Sequence, residues 1–293
     1  MLVTIAVSLA AALCFASGNA IQHRAAGAVP AGEGLVKLII GLFTSPQWLF
    51  GSAIALTAFG LHITALNLGV VAVVQPFMLG AVLLAVPIRA LLDREVPDRN
   101  EMLWVAFTVL ALVVFVLAAN HEESDSAPNE TAALLIVLVG FTLAGLWAAS
   151  ARRFDYAPMR GFVFATASGL TFGITAGLMR FLKHDTANGV LDLFTHWHVY
   201  ALLVGSVLGT TLNQRSYQEA NLSVCMPSMN TVNITVALGF GWLVFGEPPA
   251  HGPLALALQT ICLAACAYGL LQVAKAEDEL EARLDPHVHP SAR

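Results

Sequence analysis

Charged side chains are scarce in this chain, and their scarcity argues against the commonest class of protein. Asp, Glu, Lys and Arg together make up 11% of the 293 residues, while 57% are hydrophobic. Water-soluble domains carry about 25% charged residues, so the composition is not that of a soluble globular protein. The net charge of −5 gives no basis for binding nucleic acid, and no nucleic-acid partner is predicted.

Reactive motifs are also lacking. Neither a phosphate-binding P-loop nor an H-E-x-x-H metal motif occurs in the sequence, and these are the usual marks of a soluble enzyme. The four cysteines lie inside apolar runs, where Cys usually behaves as a small hydrophobe. They are Cys14, Cys225, Cys262 and Cys266. We therefore predict no enzyme activity, no cofactor, no disulfide and no metal site.

What the chain does contain is a series of apolar runs, each of about 20 residues, which is the length that crosses the hydrocarbon of a bilayer. The nine runs are 2–21, 46–67, 69–92, 100–119, 132–151, 160–183, 196–218, 219–245 and 252–274. The sequence thus predicts an all-α polytopic membrane protein with about nine transmembrane helices. We expect the first run to be retained; a cleaved signal peptide is the alternative, because 16–20 loosely resembles a cleavage site.

Lys and Arg fall in every second loop between these runs. All but two of the fourteen lie on one side when alternate loops are assigned to opposite sides, and the exceptions are Arg180 and Lys183. Cytoplasmic loops carry the excess of Lys and Arg. The pattern therefore predicts a plasma (inner) membrane protein with its N-terminus outside and its C-terminus in the cytoplasm.

The two halves of the chain resemble each other. Segments 65–76 and 216–227 each open a span and end in proline, and each span runs to an acidic exit with proline, at 94–97 and 246–249. One extra helix between two four-helix repeats turns the second repeat upside down, an arrangement typical of secondary transporters. The predicted segments are a first repeat (1–119), an external linker (120–131), a connecting helix with a cytoplasmic loop (132–159), an inverted second repeat (160–274) and a cytoplasmic tail (275–293).

These motifs carry a resemblance to a known family. A first helix of small residues, hairpins closed by ALNLG and YQEANLS, an early proline in the next helix and the exit FGEPP resemble the drug/metabolite transporter superfamily in its broad, EamA-like sense. The resemblance covers nearly the whole chain and is clearest over 46–119 and 196–274. That superfamily usually has ten helices. The nine-helix layout, with LNQRSYQ, is more similar to the NIPA-type magnesium-transporter branch and its bacterial relatives.

The apolar runs hold no Asp or Glu in their middle, since Glu219 sits at a helix end and Glu95, Glu101 and Glu247 sit at exits. Small multidrug-resistance exporters, which are similar to this superfamily, rely on an embedded carboxylate, so their proton-coupled mechanism is disfavoured. The same absence weakens a dehydrated Mg²⁺ site, because Mg²⁺ prefers carboxylate and water oxygens. A hydrated ion held by amide and carbonyl oxygens stays open.

The polar groups within the spans that we single out as site candidates are amides, one imidazole and one guanidinium. Such groups are costly against lipid and should face inward. We predict that the substrate-binding residues line one aqueous cavity, with the last at its cytoplasmic mouth: His62, Gln75, Asn213, Asn230, Asn233 and Arg215. Two alternatives stay open, because buried polar groups can instead bond helix to helix and Arg215 can extend to lipid headgroups.

The function predicted from the sequence is secondary transport of a small solute, a metabolite or drug, by alternating access. Its partners would be a small-molecule or ion substrate and the lipid bilayer. The alternatives are a transporter of magnesium or another divalent cation, a translocase of lipids or lipid-linked sugars, and a membrane scaffold that transports nothing. A polar cavity would argue against the scaffold, and a groove open to the membrane would favour the translocase.

Overall fold

The described part of the chain is almost entirely helical. The computed structural model describes residues 2–29, 35–68, 71–94, 96, 98–118, 127–182, 192–247 and 252–284, and no strand occurs among them. The α-helices are α1 (Leu2–Gly27), α2 (Leu35–Thr44), α3 (Pro46–Leu68), α4 (Val71–Asp93), α5 (Arg99–Leu117), α6 (Glu130–Ser150), α7 (Ala157–Leu178), α8 (Trp197–Glu219), α9 (Leu222–Phe245) and α10 (Gly252–Leu284). The predicted all-α class is confirmed.

Six stretches of helix are long and apolar enough to cross a membrane. They are Leu2–Gly27, Arg99–Leu117, Glu130–Arg153, Ala157–Leu178, Leu222–Phe245 and Gly252–Val273. A seventh span exists if Lys37–Thr44 and Pro46–His62, which meet at an angle of 80°, are taken as one. These helices indicate a multi-pass membrane protein. Helices α4 and α8, of 23 residues each, lie outside this group; the last turns of α8 are polar.

Helix α2 is an element that the pattern of apolar runs does not predict, since 22–45 falls between two of them. Its ten residues extend only about 15 Å, too short to cross a bilayer. Leu38 and Leu42 pack inward, at 1% and 3% exposure, while Ile40 and Phe43 on the other face are exposed. The helix therefore packs beside α3 as a short amphipathic segment.

The helices have matching neighbours in the two halves. Helix α1 packs against α3 and α4, and α7 packs against α8 and α9. Helices α5 and α10 pack against each other, and α6 lies on α7. Helix α1 is thus held between α3 and α4, and α7 is held between α8 and α9.

Helix α7 packs closely because glycines recur along it. Gly169, Gly173 and Gly177 are spaced by four, so they share one face of the helix, and all three lie against α9. A Cβ at Gly173 would lie 2.6 Å from the carbonyl oxygen of Asn233. Small residues let helix backbones approach in membranes, so these glycines fix the position of α9, which carries two of the predicted site residues.

Candidate functional site

A cavity of about 590 Å³ lies between the two halves. Its walls come from α1, α3, α4 and α5 of the first half and from α7 and α9 of the second. The lining residues are Phe15, Phe59, His62, Met78, Leu79, Ala81, Val82, Val116, Ala176, Gly177, Arg180, Met226, Met229, Asn230, Asn233, Ile234, Ala237, Leu238, Gly241, Phe245 and Glu247. Cavities of this size accept drug-sized or smaller molecules.

Three predicted site residues line this cavity together: His62 on α3, and Asn230 and Asn233 on α9. The Asn230 side-chain amide donates to the carbonyl oxygen of Met226 at 2.9 Å, which leaves its Oδ1 as an acceptor. The buried Nδ1 of His62 has no hydrogen-bond partner among the described residues. Buried polar atoms are nearly always satisfied, so this cavity offers hydrogen-bonding groups that a solute or water can use.

The rest of the wall is mostly apolar and includes three methionines, Met78, Met226 and Met229, with Phe15 and Phe59. Methionine is flexible and polarizable, and it adapts to ligands of different shape. An apolar wall with a few hydrogen-bonding groups is the usual composition of a small-molecule pocket. The surface therefore suits a compact amphipathic solute.

Two charged side chains, Arg180 and Glu247, line one end of the cavity. We call this end, formed by Arg180, Phe245 and Glu247, the rim. The Arg180 guanidinium forms a two-pronged ion pair with the Glu247 carboxylate, with NH2 to Oε1 at 2.7 Å. The same guanidinium stacks over the Phe245 ring, 4.1 Å from its centroid. Because the two charges are opposite and paired, the lining carries no net charge when His62 is neutral.

A second group of polar side chains lies where α1 meets α8, and we call it the α1–α8 polar cluster: Asn19, Gln22, His23, Gln214 and Tyr217. Tyr217 donates its hydroxyl to Oδ1 of Asn19 at 2.9 Å, and Gln214 donates its amide to Oε1 of Gln22 at 3.2 Å. Nε2 of His23 lies 3.0 Å from the carbonyl oxygen of Ala220. These bonds join the first half of the chain to the second.

Two other predicted site residues, Asn213 and Arg215, are not among the lining residues of the cavity. Asn213 is buried beside the α1–α8 polar cluster, and its Oδ1 has no partner among the described residues. Arg215, expected at a mouth of the cavity, is not in its lining; it donates to Gln218 at 2.6 Å and pairs with Glu219 at 3.1 Å. Gln75 lies in α4, and its side chain falls outside the described residues.

Sequence reasoning missed the rim. Arg180 is one of the two basic residues on the side poor in Lys and Arg, and Glu247 lies in the matched acidic exit. Each stands out in the sequence, yet only the structure shows that they pair, because they lie 67 residues apart. Within the described ranges, no three His, Cys, Asp or Glu side chains are grouped so that they could hold a metal ion.

Comparison with known proteins adds one relative. No family model matches the chain, and no solved structure matches it. An uncharacterized protein of Corynebacterium glutamicum is 26% identical over 250 residues, covering 84% of this chain and 86% of that protein. The similarity thus extends over most of both proteins, and the description of that protein states no activity.

Proposed function

We propose that the chain is a secondary transporter of a small solute, a metabolite or drug, which works by alternating access and is of the drug/metabolite transporter type. The observation that carries the proposal is the cavity of about 590 Å³ that the two halves form together. Transporters with inverted repeats bind their substrate near the middle of the membrane, at the interface between repeats. A cavity with free hydrogen-bonding groups between two similar halves fits that arrangement.

The nine-span inverted layout is part of the proposal. At 23 residues each, α4 and α8 extend about 34 Å, which is enough to cross the hydrocarbon. With α3 counted as one span and α2 left at the surface, the spans number nine. The matching neighbours of α1 and α7 support two equivalent halves. In this layout the rim is external, and the α1–α8 polar cluster is at the cytoplasmic end of the plasma membrane protein.

The charges of the lining favour a solute that is uncharged or zwitterionic. Arg180 and Glu247 neutralise each other, and the other polar lining residues are His62, Asn230 and Asn233. A transporter of dehydrated Mg²⁺ would need several oxygen ligands, whereas the single carboxylate of this lining is engaged by Arg180. The apolar walls supply the remaining contact area.

The proposal is tested with the full chain in liposomes and a panel of labelled solutes. The panel contains phenylalanine and methionine as amphipathic zwitterions, tetraphenylphosphonium as a cation, benzoate as an anion, Mg²⁺, and a fluorescent phospholipid. We expect saturable flux of a zwitterion. Replacing Asn230 and Asn233 by Ala should lower that flux roughly thirtyfold, because two hydrogen bonds are lost at about 1 kcal/mol each. Asn100→Ala, an amide exposed on α5, is the matched control.

Each alternative has its own outcome in the same experiment. Flux of Mg²⁺ alone would favour the cation transporter, and movement of the phospholipid alone would favour the lipid translocase. Equal zwitterion flux in the parent and in the Asn230/Asn233 variant would show that this cavity is not the path. If every panel member behaves as in empty liposomes, the transport proposal fails and the scaffold remains.

A further inference from the structure

The two ends of the cavity are built differently. At one end the α1–α8 polar cluster joins the halves; at the other, α3 and α7 face each other across the cavity without such bonds among the described residues. Phe59 and His62 of α3 line one side, and Ala176 of α7 and Arg180, two residues after that helix, line the other. We treat the end where α3 and α7 line opposite sides of the cavity as the open end.

The α1–α8 polar cluster lies directly beyond the closed end. The Asn19 amide donates to the carbonyl oxygen of Phe15 at 2.8 Å, and Phe15 is part of the cavity lining. Asn19, Gln214 and Tyr217 are 6%, 1% and 2% exposed. A solute in the cavity can reach this end of the molecule only after these side chains separate.

The cluster is incompletely satisfied, as expected of a contact that comes apart. Oε1 of Gln214 and Oδ1 of the neighbouring Asn213 are buried without partners among the described residues. Partly satisfied polar networks are less stable than complete ones. Breaking such a network and exposing it to water costs less than breaking an apolar core contact, because each freed group gains a water partner.

If the two halves are equivalent, the α1–α8 contact has a counterpart at the other end of the cavity, and its position can be derived. If α1 corresponds to α7 and α3 to α8, the contact of α1 with α8 corresponds to one of α7 with α3. In an inverted repeat the two halves exchange conformations between the two open states. The contact of α1 with α8 is made in this structure, and its counterpart is expected between α7 and α3 at the other end.

We infer that the α1–α8 polar cluster is a latch: it holds one end of the transport path shut, and it opens as α3 closes onto α7 across the cavity. The inference rests on the proposed transport function. It assigns the closed end to the bonds Asn19–Tyr217 and Gln22–Gln214. It assigns the closing contact at the open end to the segment 59–62 of α3 and to 176–180, which includes the end of α7. Arg180 lies at the edge of this second contact.

The test measures access to the cavity from each side of the membrane and needs no transported solute. The four native cysteines are replaced by Ala, and Ala237 in the lining becomes the single Cys. A membrane-impermeant maleimide is applied to right-side-out and inside-out vesicles. The parent should label from the open side. Tyr217→Phe combined with Gln214→Leu should raise labelling from the latch side several-fold.

A matched control removes a similar bond elsewhere on α8. Tyr200 donates its hydroxyl to the carbonyl oxygen of Phe194 at 2.9 Å, at the opposite end of the helix, so Tyr200→Phe should leave the labelling pattern unchanged. An unchanged pattern in a folded Tyr217→Phe/Gln214→Leu protein, judged by its melting temperature, would overturn the latch. The latch falls equally if Tyr200→Phe gives the same shift.

A second measurement covers the case in which the latch variant does not fold. Cys residues at Gln22 and Gln214 are joined by a short bifunctional thiol reagent, which should leave Ala237→Cys labelling intact from the open side and abolish it from the latch side. Loss of labelling from the open side instead would overturn the inference. If labelling responds as expected while no solute is transported, the latch stands and the transport proposal fails. If a solute is transported while labelling does not respond, the latch fails and the transport proposal stands.

Discussion

Arg94 and Gly246 share a left-handed backbone conformation, with φ of 60° and 71°. Arg94 directly follows α4, and Gly246 directly follows α9. The two positions coincide when the exits 94–97 and 246–249 are aligned, so α4 and α9 end in the same way. Arginine rarely adopts this conformation, and its occurrence at the position equivalent to a glycine supports the proposed repeat.

The first prediction uses this pair. A residue with a Cβ is disfavoured by about 1–2 kcal/mol in the left-handed region, while glycine adds freedom to the unfolded chain. Gly246→Ala should lower the free energy of unfolding by about 1 kcal/mol, and Arg94→Gly should raise it by up to about 1 kcal/mol. Denaturant unfolding in detergent measures both. If both substitutions change the free energy of unfolding in the same direction, the left-handed conformation is not the cause that the two positions share.

The second prediction concerns the packing of α7 on α9. A Cβ at Gly173 would meet the carbonyl oxygen of Asn233 at 2.6 Å, and a backbone atom cannot move aside as a flexible side chain can. Gly173→Ala should therefore destabilise the protein by about 1–3 kcal/mol and displace Asn233 at the cavity. The thermal midpoint and labelling of Ala237→Cys report the two effects.

The matched control for that substitution is Gly239→Ala on α9. No atom lies within 4 Å of a Cβ built there, and alanine is favoured over glycine in a helix by about 1 kcal/mol. Gly239→Ala should be neutral or stabilising. If Gly173→Ala is no less stable than Gly239→Ala, α7 and α9 are not in close contact in the membrane.

The third prediction concerns orientation, which depends on the Lys and Arg pattern. Single Cys residues at Ala127 and Asp155, in a background without other cysteines, lie before and after α6. An impermeant thiol reagent on intact cells should label Ala127→Cys and leave Asp155→Cys unlabelled until the cells are opened. Labelling of Asp155→Cys alone would reverse the proposed orientation, together with the assignment of the rim to the outside.

Part of the site could be predicted from the sequence because polar side chains are costly in contact with lipid. Imidazole and amide groups within apolar helices should face inward, and His62, Asn230 and Asn233 do meet in one cavity. Arg215 carried a signal that was not used: Glu219 follows it by four residues, the spacing at which opposite charges pair on a helix. The pair explains why the Arg215 side chain stays beside its own helix.

Other features depend on contacts between distant parts of the chain. The bond from Tyr217 to Asn19 spans 198 positions, and nothing in the local pattern of either helix indicates its partner. The rim pair of Arg180 and Glu247 likewise requires that α7 and α9 end at the same level. Helix α2 was missed for another reason: at ten residues it is too short to register as a span.

The last prediction concerns His62. Among the lining residues it is the one imidazole, and histidine is the side chain that ordinarily changes charge between pH 5 and 8. Its buried Nδ1 lacks a partner among the described residues, so protonation would place an unneutralised charge against apolar walls and remove an acceptor. Flux of a zwitterionic panel member should fall as the pH is lowered, and in His62→Gln this dependence should be largely lost. His196→Gln, an imidazole outside the cavity lining, should retain the dependence of the parent. If His62→Gln keeps the full pH profile while transporting at a reduced rate, His62 contacts the solute but carries no proton in the cycle.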